Sequence, residues 1–105
     1  MRLLERAKGA KKPVAIDFGA SWCEPCKEIE FKVLTRSDIA KELERFVVIM
    51  ADVTERGGEM QKLMNGRYGI VGVPAIAFHD SDGKMHSVLN AGFEKRLLDV
   101  LKTIR

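Results

Sequence analysis

Asp17-Phe18-Gly19-Ala20-Ser21-Trp22-Cys23-Glu24-Pro25-Cys26-Lys27 is the stretch on which the reading of this chain turns. It holds both cysteines of the 105-residue sequence, three positions apart. Two cysteines so close staple almost nothing, because the loop they close is too short to restrict the unfolded chain much. A disulfide-built scaffold would spread several along the chain. The spacing suits reversible chemistry better than architecture.

Local structure attaches a mechanism to the pair. Val14–Phe18 is rich in β-branched and aromatic residues and reads as a strand. A helix is expected from about Cys23, with Pro25 in its first turn, where a missing N–H costs nothing. The first thiol then lies near unsatisfied backbone N–H groups and the positive end of the helix dipole, both favouring thiolate. Thiolate is the attacking species in disulfide exchange, so Cys23 is the expected nucleophile. Cys26 lies one turn further in, on a face shared with Ile29 and Val33. From there it can act as the resolving thiol. The alternatives are an inert pair or a metal site. Structural zinc wants four ligands at recognisable spacing, and His79 and His86, far down the chain on either side of an expected turn, fit that poorly. No metal is expected, and no cofactor beyond the redox-active disulfide.

Working outward, Arg2–Ala10 reads as a short helix ended by Gly9 and Lys11-Lys12-Pro13. Ser37 is the expected N-cap of a second helix running through Ile39 and Leu43. Phe46–Met50, with three β-branched members, reads as a buried parallel strand. Glu59–Asn65 is helical in character, with Gly66 as its C′ residue. Pro74 opens a strand over Ala75–His79, Asp80-Ser81-Asp82-Gly83 signals a turn, and Lys84–Ala91 returns as the second hairpin arm. After Gly92, Glu94–Ile104 closes the chain as an amphipathic helix with Leu97, Leu98, Leu101 and Ile104 inward. Met60 and Met64 read as core gap-fillers. This order predicts one α/β domain over residues 1–105, a mixed central sheet of four or five strands with helices on both faces.

The apolar share of 46% and charged share of 31% are an ordinary globular balance that excludes disordered and collagen-like chains. The longest uncharged apolar runs, Phe46–Ala51 and Tyr68–Phe78, are far short of a membrane span. Asp17 interrupts Val14–Ala20, so no export-signal stretch follows the basic start. The 18 basic and 15 acidic residues, net +3, interleave as on a solvated surface, with no nucleic-acid footprint. Arg2, Arg6, Lys8, Lys11 and Lys12 face only Glu5. They read as a solvated helix face, with an anionic membrane surface or acidic partner as the alternative.

The stretch from Asp17 to Lys27 resembles the active-site strand, loop and helix of the thioredoxin superfamily, and Gly72-Val73-Pro74-Ala75 resembles its second signature. The two motifs, in order and with matching elements between them, cover nearly the whole chain. Within the superfamily the sequence most resembles the C-terminal thioredoxin-like domain of transmembrane thiol:disulfide interchange reductases (DsbD type). The cues are Cys26-Lys27-Glu28-Ile29-Glu30, the Ser-Asp within Leu34–Leu43, and Ala51-Asp52-Val53-Thr54.

The resemblance implies roles. Asp17 would lie behind Cys26 as its proton acceptor or donor, its pKa raised by burial in a central strand; the alternative is a strand-end Asp bonded to backbone. Glu30, four residues after Cys26 and on the same helix face, matches an acidic residue near the pair, or is a solvated helix carboxylate. If Asp17 and Glu30 are buried together they titrate jointly. Pro74 would be cis and face the cysteines, against an ordinary trans proline. Trp22 with Val73-Pro74 would form an apolar rim, residue 73 offering backbone bonds to an extended partner segment; Trp22 could instead be core packing. Trp22, Pro25, Val73 and Pro74 are therefore the expected substrate-binding residues.

Two departures matter. Ordinary thioredoxins place a lysine beside the buried aspartate, where this chain has Met50. Glu24 replaces the usual glycine, and its charge should disfavour the Cys23 thiolate, opposing the helix end and Lys27 and pushing the pair towards a reductant. The chain also starts late. Twelve residues precede Pro13, enough for the helix alone, so either the sheet has four strands or a fifth lies upstream in a longer parent.

These readings predict a thiol–disulfide oxidoreductase that reduces protein disulfides and is recharged by a partner oxidoreductase, with a monomer as the default. The competing functions are an oxidase or isomerase using the same cysteines, and a non-catalytic module holding a metal or a partner. An excised DsbD-type domain would be tethered to a membrane domain and face the periplasm. A complete chain would be cytoplasmic.

Overall fold

The protein is described from a computed structural model covering residues 9–90 and 92–105. The expected helix over Arg2–Ala10 falls almost wholly outside the described residues.

Six residues, Val14–Gly19, form β1, and all but the last are buried. That burial follows from position. Among the described residues the sheet has four strands in the order β2-β1-β3-β4, so β1 is interior. Strand β2 (Val47–Asp52) pairs parallel to β1 with Asp17 opposite Met50. On the other side β3 (Ala75–His79) runs antiparallel, with Asp17 opposite Ile76. Then β4 (Met85–Leu89) returns against β3 as a hairpin, the register slipping between Phe78 and His79. In the turn Asp80 Oδ1 accepts from the N–H groups of Asp82 at 2.9 Å and Lys84 at 3.1 Å, and Gly83 takes a φ of 86° that a side chain would resist.

Alternating side chains send each strand to two cores. On one face Val14, Ile16 and Phe18 meet Ala75, Ala77 and the helix α3 (Glu59–Tyr68) through Met64 and Tyr68. On the other, Ala15, Ile76 and Phe78 meet Ile29, Ile39, Leu97 and Leu101. These come from α1 (Glu24–Glu28) with its π-helical continuation Ile29–Val33, from α2 (Ser37–Leu43) and from α4 (Glu94–Thr103). Leu97 and Leu101 are almost fully buried, each contributing about 1.5–3 kcal/mol. Arg45 ties the end of α4 down, its guanidinium donating to the carbonyls of Leu101 (2.7 Å) and Ile104 (3.1 Å). The expected mixed α/β architecture with helices on both faces is observed, and of the four or five strands expected, four lie among the described residues. Among the described residues no helix is long and apolar enough to cross a membrane.

Three local expectations are corrected. Met50 and Val48 stand exposed, because β2 is the sheet's edge among the described residues and buries only alternate side chains; a run of apolar residues had implied cover on both faces. Gly66 lies inside α3, which runs on to Tyr68 and ends at Gly69 in the left-handed region at φ 65°. Tyr68 is needed in the core, and that burial carries the helix past the first glycine. At α2, Arg36 rather than Ser37 holds the N-cap position and makes no side-chain cap bond; Asp38 supplies the local acceptor instead, taking the Ile39 N–H at 2.8 Å.

Candidate active site

The loop leaving β1 turns tightly, the Cys23 N–H donating to the Ala20 carbonyl at 3.1 Å. Cys23 becomes the N-cap of α1, with extended backbone angles, and its Sγ accepts the Cys26 N–H at 3.2 Å. Pro25 follows exposed in the first turn, where it forfeits no intrahelical bond. A disulfide joins Cys23 to Cys26, their Cα atoms 5.3 Å apart. Cys23 and Cys26 are 5% and 7% exposed, so a partner reaches the sulfurs only by fitting the surface around them.

Behind the pair lies a cleft of about 370 Å³. It brings together Asp17, Cys26 and Glu30, and is lined on its outer side by Lys27, Phe31 and Met50. Asp17 is 6% exposed and points to the face of β1 shared with Ala15, beneath α1. Burial, and after it the repulsion of Glu30, push its carboxyl up from 3.8 to about 7. Glu30 is exposed and lines the same cleft as Asp17 and Cys26. The π-helical turn, closed by the Leu34 N–H on the Ile29 carbonyl at 2.9 Å, begins beside this cleft.

Other expected residues take separate positions. Trp22 is 57% exposed and so is not core packing. The Val73–Pro74 peptide is cis; Pro74 is buried, and half-buried Val73 packs against the cluster containing both cysteines. None of Trp22, Pro25, Val73 or Pro74 lines the cleft. The expected substrate-binding residues thus lie apart from the cleft that Asp17, Cys26 and Glu30 share.

Glu24 is exposed and pairs with Lys27 at 3.2 Å, which offsets part of its charge near Cys23. His79 is buried among protein partners in β3, while His86 is exposed on β4 and bonds Ser87. Among the described residues no three His, Cys, Asp or Glu side chains cluster to hold a metal ion. Sequence reasoning gave no role to Thr54, which bonds the loop before Cys23, or to Asp52, which bonds Thr54. They stand more than thirty positions from that loop, and no local periodicity signals such a contact.

A family model described as thioredoxin-like matches residues 2–81. This chain belongs to the thioredoxin-like family. The thiol:disulfide interchange protein DsbD of Vibrio vulnificus is 40% identical over 80 residues, covering 76% of this chain and 13% of that protein. DsbD of Ralstonia nicotianae is 36% identical over 89 residues, covering 85% and 14%. The reduced C-terminal domain of Neisseria meningitidis DsbD superposes with a TM-score of 0.72 at 26% identity, over 99% of this chain and 96% of that one. The thioredoxin-like fold and the likeness to DsbD-type domains therefore stand. The chain spans only about one-eighth to one-seventh of the curated relatives' length.

Proposed function

We propose that this domain is a thiol–disulfide oxidoreductase working through Cys23 and Cys26 in the reducing direction. The observation that carries it is the placement of Cys23 Sγ as acceptor of a helix-start N–H, with Cys26 backed by Asp17 in one cleft. In the reduced domain that N–H bond favours the Cys23 thiolate. The thiolate attacks one sulfur of a partner's disulfide; the partner's S–S bond breaks, and its other sulfur leaves as a thiolate that takes up a proton. Cys26 then gives its proton to the Asp17 carboxylate and attacks Cys23 Sγ. The mixed disulfide breaks, the partner's second sulfur leaves as a thiolate that takes up a proton, and two electrons have passed from the domain, which is left with the Cys23–Cys26 bond.

A carboxyl titrating at about 7 matches this step, since an acceptor near the working pH best balances availability and basicity. Trp22, Pro25, Val73 and Pro74 supply the rim on which an extended partner segment lies. The partners we infer are protein disulfides on one side and a donor oxidoreductase on the other, the latter within or beside a membrane-bearing parent. Both redox cysteines belong to one chain, so the exchange needs no second copy of it.

The deciding measurement is the reduction potential of the Cys23–Cys26 disulfide, by equilibration in graded thiol buffers. A value of about −220 mV or lower supports a reductase, whereas about −180 to −120 mV would make it an isomerase or oxidase. Cys23→Ser should abolish insulin reduction. Reduction that persists in this variant would refute the assigned nucleophile.

A further inference from the structure

Trp22 is the chain's sole tryptophan, sits next to Cys23 and is 57% exposed. An exposed ring of that size is ordinarily free to change rotamer on a fast timescale. Here it is tied at two points to one residue. The indole Nε1 donates to the Thr54 carbonyl at 3.2 Å, and the N–H of Ser21, one residue earlier, donates to the Thr54 hydroxyl at 2.8 Å. Thr54 is itself fixed by Asp52, whose Oδ1 accepts the Thr54 N–H at 2.9 Å and also the Thr54 hydroxyl proton. The hydroxyl therefore donates to Asp52 and accepts from Ser21, which specifies its rotor. These bonds from Thr54 hold the Asp52 carboxyl below the usual carboxylate range, despite a small opposing effect of desolvation. The acceptor stays charged at neutral pH.

We propose that Thr54, locked by Asp52, is a positioning residue that sets the orientation of the Trp22 indole beside Cys23 and so the fit of protein substrates to the rim. The hydroxyl fixes the backbone from which Trp22 projects, and the carbonyl fixes the ring. A substrate then meets a ring already ordered, and the cost of ordering it is not deducted from binding. Losing that order should weaken productive docking by about 2- to 10-fold. The proposal rests on the reading of Trp22 as a substrate-facing rim residue, but its first test does not need turnover.

That test is time-resolved fluorescence anisotropy of the single tryptophan in the oxidised protein, with folding verified by circular dichroism. Thr54→Val and Asp52→Ala should enlarge the fast depolarising component. Thr54→Ser, which keeps the hydroxyl, should restore the parent decay, and Asp52→Asn, which keeps an oxygen acceptor, should fall between. Should Asp52→Ala fail to fold, Thr54→Val and Asp52→Asn carry the comparison. In insulin reduction Thr54→Val should raise KM about 2- to 10-fold while moving kcat less than its KM. A folded Thr54→Val protein with unchanged anisotropy overturns the proposal, and so does a loss confined to kcat. If the parent protein reduces no disulfide, the proposed function fails while the anisotropy still judges the clasp.

Discussion

Two ionisable side chains are buried in the sheet among the described residues, Asp17 at 6% exposure and His79 at 1%, and they sit on opposite faces. His79 is fully engaged. Its Nδ1 lies 3.0 Å from the Gly83 carbonyl, which can only accept, so Nδ1 carries the proton. Its Nε2 accepts from the Tyr68 hydroxyl at 2.7 Å, and burial pushes the Tyr68 hydroxyl up, keeping it a donor. Among the described residues no group donates to the Asp17 carboxylate, which faces the cleft with Glu30 as its charged neighbour. Equal burial thus has opposite meanings. A hydrogen-bonded polar group closed inside a core specifies packing; a carboxyl open to a cleft beside a cysteine is held ready to change protonation.

The largest test of that contrast is Asp17→Asn. It should slow resolution of the Cys23 mixed disulfide by about 100-fold or more, read by rapid quench, and remove the midpoint near pH 7 from the parent's profile. Stability should move the other way. Between pH 3.8 and about 7 the folded state holds a proton that the unfolded state has lost, so parent stability falls as pH rises, by up to ~1.4 kcal/mol per pH unit. Asp17→Asn should flatten that slope and be the more stable protein above pH 7. Urea unfolding across pH 4–8 checks it, and parallel slopes would break the contrast. At the other site, His79→Ala should lower the unfolding free energy by about 1–3 kcal/mol while leaving insulin reduction per folded molecule at the parent level.

Much of this was legible in residue types. The strand before Cys23, the Asp80–Gly83 turn and the inward leucines of the last helix announce themselves by local pattern, because each buries one face or needs one turn chemistry. The burial of Asp17 follows from a charge set in an apolar strand. What could not be read depends on neighbours far along the chain. That β2 is an edge is a property of the sheet, so its apolar run misleads about Met50 and Val48. The bond between Tyr68 and His79, and the clasp of Thr54 on Trp22, join residues whose proximity no periodicity encodes.

Smaller effects sharpen the Asp17 side. Glu30→Gln removes a like charge, so the Asp17 midpoint, followed by carboxyl NMR in the oxidised protein, should fall below about 7 while remaining above 3.8, because burial is the larger cause. An unmoved midpoint would detach Glu30 from the site. Smallest is Glu24→Gly, which should lower the Cys23 pKa slightly, since Glu24 is exposed and already paired with Lys27. The pH profile of alkylation measures it, and an unchanged profile would show that the charge does not reach the sulfur.

The span from Ile29 to Leu34 holds one residue more than an ordinary α-helical turn. A helix with such a turn is a helix that has absorbed an insertion without unravelling. Taking one residue out would let the α-helix close with Leu34 still on the Ile29 carbonyl, so everything beyond it would keep its face relative to Cys26; straightening the turn at full length would instead swing it about 100° around the axis. Against a relative whose helix runs unbroken, this chain should therefore align with a one-residue gap near position 31. The trace of that change in ancestry would be a difference in length and not a difference in letters.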